Sequence, residues 1–121
     1  MDDANAGKRP EKFDLEERTA RFGEAIIAFA KTIPRNVITL PLINQLIRAG
    51  TSVGANYCEA DDAVSKKEFR VKICTCKKES RETKYWLRMI AAAEDQTKVQ
   101  GRVLWQEAKE LHLIFAAIYR K

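Results

Sequence analysis

The residue types that could do chemistry in this sequence are overwhelmingly cationic, and they are gathered in one place. Between Ser65 and Ile90 stand nine basic residues, Lys66, Lys67, Arg70, Lys72, Lys77, Lys78, Arg81, Lys84 and Arg88, against three acids, Glu68, Glu79 and Glu82. The stretch carries a net +6 while the whole chain carries +5, so everything else sums to −1. Six of these cations, Lys66, Arg70, Lys77, Arg81, Lys84 and Arg88, step by 4, 7, 4, 3 and 4 residues. On a helix that spacing confines them to about 60° of arc. A solvated face normally interleaves opposite charges at i,i+4, because like charges at that spacing repel. A ridge of unmixed cations suits phosphate tracking, in which Lys and Arg give sequence-independent, salt-sensitive affinity through counterion release. The plainer expectation is a solvated face paired with acids of a neighbouring helix or subunit.

A second stripe, Gln45, Arg48, Ser52, Asn56 and Glu59, is spaced 3, 4, 4 and 3 along one edge of another amphipathic segment. It reads as a buried or half-buried seam of structural hydrogen bonds. It has no base of the kind that activates a nucleophile, because the one histidine, His112, lies elsewhere in the chain and reads as a core-edge residue. Beside the stripe, Gly50 and Gly54 form G-x-x-x-G, flanked by Ile43 and Ile47, which allows close approach of another helix within the chain or between subunits. Tyr85, Trp86 and Met89 project well off the core seam, so a monomer is expected to expose them. With the two glycines they form the candidate oligomer interface.

Cys58, Cys74 and Cys76 are odd in number and include a C-x-C, which fits neither a disulfide framework nor a C-x-x-C redox or zinc site. On one helix Cys74 and Cys76 would point about 200° apart and could not share a metal. They are expected to be small buried or half-buried thiols. With no glycine-rich phosphate loop, no metal-ligand cluster and no partnered nucleophile, neither a cofactor nor catalysis is expected. A deep pocket lined by Arg48, Asn56 and Glu59 would argue for an enzyme.

These side chains need helices to position them. Asp14 with Glu17 has the form of a capping box, and Leu15, Phe22, Ile26, Phe29 and Ile33 follow at helical spacing, predicting a helix from Asp14 to Lys31 that stops at Pro34. A second helix starts at Leu40-Pro41-Leu42 and runs to about Ala60, with Leu42, Leu46, Ala49, Val53, Tyr57 and Ala60 on one face. Ser65 and Glu68 open a third helix, reaching about Asp95, whose core seam Phe69, Ile73, Cys76, Ser80, Thr83, Leu87 and Ala91 is narrow and of mixed polarity. After a connection from Gln96 to Gly101, a fourth helix covers Arg102 to Tyr119, with Leu104, Ala108, Leu111, Phe115 and Ile118 inward. No strand-like alternation interrupts this pattern. It predicts an all-α, antiparallel up-down four-helix bundle over residues 14–121, preceded by a flexible polar leader at residues 1–13.

The 121 residues, 45% hydrophobic and 32% charged, make one domain with a real core and argue against disorder beyond the ends. The longest apolar runs are far too short to span a bilayer, and the N-terminus lacks the apolar region of a secretory signal, so a cytoplasmic protein is expected. A sequence pI of about 9.2 is a weak pointer to nucleic acid.

The runs GTSVGANYCEADDAVSKKEF, Gly50 to Phe69, and KKESRETKYWLRMI, Lys77 to Ile90, together with QLIRA, Gln45 to Ala49, resemble a known family. It comprises the bacterial four-helix-bundle proteins first recognised in intervening sequences of large-subunit ribosomal RNA. The resemblance rests on the Gln, Arg, Ser, Asn, Glu stripe and on the Glu-Thr-x-Tyr-Trp-Leu run. It implies an antiparallel bundle that assembles into a ring-like homopentamer. It extends to the accessory proteins of diversity-generating retroelements, basic barrels that engage nucleic acid and a reverse transcriptase. Most such proteins have no established biochemical activity. Arg70 and Lys77 depart from the pattern, standing where many relatives are apolar. The leading expectation is a non-catalytic oligomer that binds structured RNA or a ribonucleoprotein through the six-cation ridge. The alternative is an oligomeric interaction or scaffold module whose ridge meets an acidic protein. Tyr85 is the one aromatic residue the sequence places near the arc, so binding is expected to be dominated by the backbone and weakly specific.

Overall fold

The apolar periodicities become four helices in a computed structural model, which describes residues 14–121: α1 Leu15–Lys31, α2 Thr39–Asp61, α3 Lys66–Ala93 and α4 Lys98–Arg120. The expected leader at residues 1–13 lies outside the described residues. The order is antiparallel and up-down, with α2 packed along both α1 and α3, α3 along both α2 and α4, and a much sparser contact between α1 and α4. Among the described residues there is no strand, and no helix is long and apolar enough to cross a membrane.

Local chemistry explains most of the boundaries. The Ser65 Oγ accepts the Glu68 N–H at 3.0 Å and caps α3, while the Glu68 carboxylate reaches back to the Val64 N–H at 3.4 Å. The capping box expected at Asp14 does not form, since the Asp14 side chain makes no capping bond and its backbone (φ −105°, ψ 29°) lies outside the extended region that a capping residue adopts. At α2 the working cap is one that spacing alone did not single out. Asn36 Oδ1 accepts from the N–H groups of Ile38 and Thr39, both at 2.9 Å, and Thr39 Oγ1 accepts from the Asn36 N–H at 3.0 Å. Thr39 Oγ1 also donates to the Pro34 carbonyl at 2.6 Å, tying the end of α1 to the start of α2. The connection expected from Gln96 to Gly101 is shorter. A single 3-10 turn, Asp95–Thr97, leads straight into α4, so Gly101 lies inside the helix.

The core is filled by Leu15, Phe22 and Ile26 of α1, Ile43, Leu46 and Val53 of α2, Ile73 and Ile90 of α3, and Leu104, Leu111 and Phe115 of α4. The α3 seam is as narrow as predicted, with Cys76, Ser80 and Thr83 buried between larger residues. Their polar atoms are satisfied locally. Ser80 Oγ donates to the Cys76 carbonyl at 2.9 Å, Thr83 Oγ1 to the Glu79 carbonyl at 2.7 Å, and Cys76 Sγ across to the Val53 carbonyl of α2 at 3.5 Å. Of the other thiols, Cys58 is exposed and Cys74 half-buried, so the expectation of buried thiols fails at Cys58, which sits on the outward face of α2.

The two glycines assigned to an oligomer interface are used inside the chain. A Cβ on Gly50 would stand 2.9 Å from Ile26 Cγ1, and one on Gly54 would stand 3.2 Å from Thr19 Oγ1, so this stripe is the contact of α2 with α1. Gly23, on the α1 side of the same contact, is looser, its Cβ meeting nothing closer than Thr51 Cα at 3.7 Å.

Gly50→Ala must displace the buried Ile26 and should destabilise the bundle by about 1 kcal/mol despite alanine's better helix propensity. Gly23→Ala should stabilise it by about 0.5–1 kcal/mol. Urea unfolding of the two variants checks the opposite signs. Burial also pushes the Cys76 thiol up to about 12 from an ordinary 9.0. Above pH 9.0 the unfolded chain loses this proton while the folded chain keeps it, so stability should fall as pH rises from 9.0 towards about 12. The Cys76→Ala protein, compared by urea unfolding on either side of that pH, should show a flatter slope.

Candidate nucleic-acid interface

The α3 helix has two flanks, and its charges divide between them. On the α2 flank every acid finds a use. Arg48 of α2 donates to Glu79 at 3.2 Å, forms a second ion pair with Glu82, and is steadied by Gln45 Oε1 at 3.1 Å. Glu82 also accepts the Trp86 indole N–H at 2.9 Å, and Lys72 pairs with Glu59 at 2.5 Å. The hydrogen bond and charge of Glu59 hold the Lys72 ammonium above its ordinary value. This is the predicted polar stripe, with one correction: Gln45, Arg48 and Glu59 are exposed rather than buried. Ser52 and Asn56 do not bond across it, donating instead to the Arg48 and Ser52 carbonyls of their own helix at 2.6 and 2.9 Å. The stripe is an ion-pair zipper between α2 and α3.

The opposite flank carries the ridge. Lys66, Arg70, Arg81 and Arg88 are exposed and Lys77 and Lys84 half-buried, all along the edge that α3 shares with α4. None of the six makes an ion pair among the described residues. What α4 offers them is aromatic. The Arg70 guanidinium lies 4.3 Å from the centre of the Tyr119 ring and donates to the Tyr119 carbonyl at 2.5 Å, and the Lys77 ammonium lies 5.1 Å from the same ring. Further along, the ammonium groups of Lys84 and Lys109 approach the Trp105 ring at 5.2 and 5.8 Å. Between these rings, His112 is half-buried, and its Nδ1 lies 3.1 Å from the Lys77 carbonyl, which can only accept. The expectation that Tyr85 is the one aromatic residue near the arc is therefore overturned.

Sequence reasoning missed Trp105 and Tyr119 because they belong to a different helix from the cations. A signal existed: Trp105, Lys109, His112, Ala116 and Tyr119 step by 4, 3, 4 and 3 along one edge of α4. Their spacing marks a common edge, and only the packing of α4 on α3 tells which neighbour it meets. The acids of α4 turn the other way, Glu107 and Glu110 both holding Arg18 of α1 at 2.8 and 2.9 Å. The groove between α3 and α4 thus lines up cations from both helices, Arg102 and Lys109 joining the six, with aromatic rings between them.

Of the remaining interface candidates, Tyr85 is 53% exposed and meets Trp86 edge-on with ring centres 5.0 Å apart. Trp86 and Met89 are half-buried, and Trp86 packs against the core with its N–H satisfied, so it is not the exposed group its projection suggested. Clefts open between α3 and α4, between α1 and α4 and on α3 beside Tyr119, and none of these three is lined by Arg48, Asn56 or Glu59. Among the described residues no group of three or more His, Cys, Asp or Glu side chains could hold a metal ion.

Comparison with known proteins places this geometry. No curated protein matches the sequence. Among solved structures the chain is similar to a protein with unknown function from the S23 ribosomal protein family of Bacteroides thetaiotaomicron. That likeness has a TM-score of 0.83 at 26% identity, covering 93% of this chain and 100% of the other. The sequence itself matches the 23S rRNA-intervening sequence proteins over residues 11–117, almost the whole bundle. The resemblance first carried by the Gln45–Glu59 stripe and the Tyr85-Trp86-Leu87 run thus extends across all four helices, and the chain belongs to the 23S rRNA-intervening sequence protein family.

Proposed function

We propose that this protein is a non-catalytic, cytoplasmic RNA-binding protein that engages structured RNA or a ribonucleoprotein through the α3–α4 groove. One observation carries the reading. Glu79 and Glu82 of α3 are consumed on its α2 flank by Arg48 and Glu68 closes the capping box, while the six ridge cations have no acid partner among the described residues. Unpaired cations in a row create a field that attracts a polyanion, and the repeated charge of a phosphate backbone is its natural complement. Assembly into a ring-like homopentamer, which the family resemblance implies, would present the groove several times over and convert weak single contacts into avidity. The exposed Tyr85 is available to such assembly.

The test is fluorescence anisotropy of a labelled RNA hairpin and of a DNA duplex of matched sequence, titrated at low and moderate salt. Affinity should fall steeply as salt rises. The double change Arg81→Glu, Lys84→Glu should abolish most binding, and the single change Arg81→Gln should reduce the slope of log affinity against log salt by about 1. Oligomeric state, measured by light scattering, should be unchanged in both. Absence of RNA binding even at low salt overturns the proposal, and binding to polyglutamate in that case would assign the ridge to an acidic protein partner instead.

A further inference from the structure

At the end of the groove where α3 finishes and α4 begins, the two helices part to leave a cleft of about 320 Å³. Its floor and wall are apolar, made by Leu87 and Ala91 of α3 and by Gly101 and Trp105 of α4. Its rim is cationic, with Arg88, Lys98 and Arg102 around the opening. Lys98 is already paired with Asp95 at 2.7 Å, whereas Arg88 and Arg102 have no acid partner among the described residues. Gly101 is one of the lining residues. A Cβ there would meet only Phe29 Cζ, at an ordinary 3.6 Å, so packing does not demand a glycine as it does at Gly50. A helix interior normally disfavours glycine relative to alanine. The position therefore costs helix stability without a packing reason, and it borders this cleft.

A flat ring to stack on, an apolar slot beside it and two free guanidinium groups at its mouth together match a single nucleotide, with its base in the slot and its phosphate on the rim. We infer that the Trp105 cleft takes an unpaired base of an RNA strand lying along the α3–α4 groove, with the flanking phosphates held by Arg88 and Arg102. This inference rests on the groove being a nucleic-acid surface, and adds that the surface selects unpaired nucleotides. Bases within a duplex are stacked on one another and cannot enter, so regular double helix is excluded from the slot. A second cleft of about 310 Å³ opens on α3 beside Tyr119, near the other end of the groove, with Lys67, Arg70 and Lys78 among its lining residues. The two aromatic residues are 14 residues apart on α4, about 21 Å along the helix axis, within the reach of a few nucleotides. A strand can therefore be pinned by an aromatic residue at each end while the ridge cations follow the phosphates between. The lysine tips over Trp105 are long and flexible, and can turn onto those phosphates as a base takes their place on the ring.

The decisive experiment compares a short oligoadenylate RNA, the same strand annealed to oligouridylate, and AMP alone, each titrated against the full chain. Anisotropy gives the affinity for the two RNAs, and quenching of tryptophan emission reports stacking of any of the three ligands. The single strand should bind at least tenfold more tightly than the duplex and quench emission. Trp105→Leu should cost the single strand about tenfold while leaving the duplex unchanged. Trp105→Phe should restore most of that affinity without the quench, since Trp86 lies on the other flank of α3, and circular dichroism verifies that both variants fold. Equal affinity for single strand and duplex, with neither altered by Trp105→Leu, overturns the base cleft and leaves the ridge proposal standing. Loss of all RNA binding at low salt in the wild-type chain overturns both. Quenching by AMP as tight as that by the strand assigns the cleft to a free nucleotide and overturns its assignment to a strand.

Discussion

The structure depends first on how closely α3 lies against two neighbours at once. Its core seam is built from Cys76, Ser80 and Thr83, side chains too small to hold other helices at a distance, with Ile73, Leu87 and Ile90 filling the ends. The hydroxyl groups are consumed by carbonyls of α3 itself, so the narrow strip can be buried without calling on a partner. Cys76 completes the contact by donating to α2, and burial keeps its thiol protonated. On α1 and α2 the same device operates through Gly50 and Ile26. Small residues at the centre of each contact bring the helices close, and close helices leave no interior room for long charged side chains.

Those side chains must then emerge along the edges, and the edges differ in kind. The α2–α3 edge is zipped by Arg48 with Glu79 and Glu82 and by Lys72 with Glu59. The α1–α4 edge is bridged by Arg18 with Glu107 and Glu110. Pairs at or near the surface contribute little to stability, typically less than about 1 kcal/mol each where exposed, but they fix which flank of a helix an acid occupies. With the acids drawn to these two edges, the edge between α3 and α4 is left to cations and rings. The basic groove is thus the complement of the ion-pair pattern elsewhere in the bundle.

Helix number, order and inward faces were legible in the sequence because each amphipathic run is long and its period unambiguous. The small seam of α3 and the six-cation arc were equally readable, since both are properties of a single helix. What could not be read was anything depending on which edge meets which. The Gln45–Glu59 stripe has the spacing of a buried seam, yet its long polar ends reach solvent and bond to α3 from outside. Gly50 and Gly54 suit close approach to any helix, and only the fold reveals that α1 is the helix they meet. Asn36 and Thr39 form a reciprocal cap that a first-turn proline does not reveal, since Pro41 marks the start of α2 from two residues beyond Thr39. Trp105 and Tyr119 are a similar case, visible as an edge of α4 but not as the lining of a basic groove.

Fold stability gives little reason for the cations to be gathered as they are. Six like charges on one flank repel at the i,i+3 and i,i+4 spacings that join Arg81, Lys84 and Arg88. The contacts of Arg70, Lys77 and Lys84 with aromatic rings offset part of that repulsion, each worth roughly 0.5–1 kcal/mol at an exposed site. Replacing alternate cations by glutamate would relieve the repulsion and supply ion pairs along the same edge, as already happens on the α2 flank. The chain instead keeps its acids away from this one edge and places two rings and two clefts along it. Arrangements that forgo cheap stabilisation mark the places where a surface is shaped by something outside the chain, and here the missing charges are negative, repeated and spread over about six turns of helix, from Lys66 to Arg88.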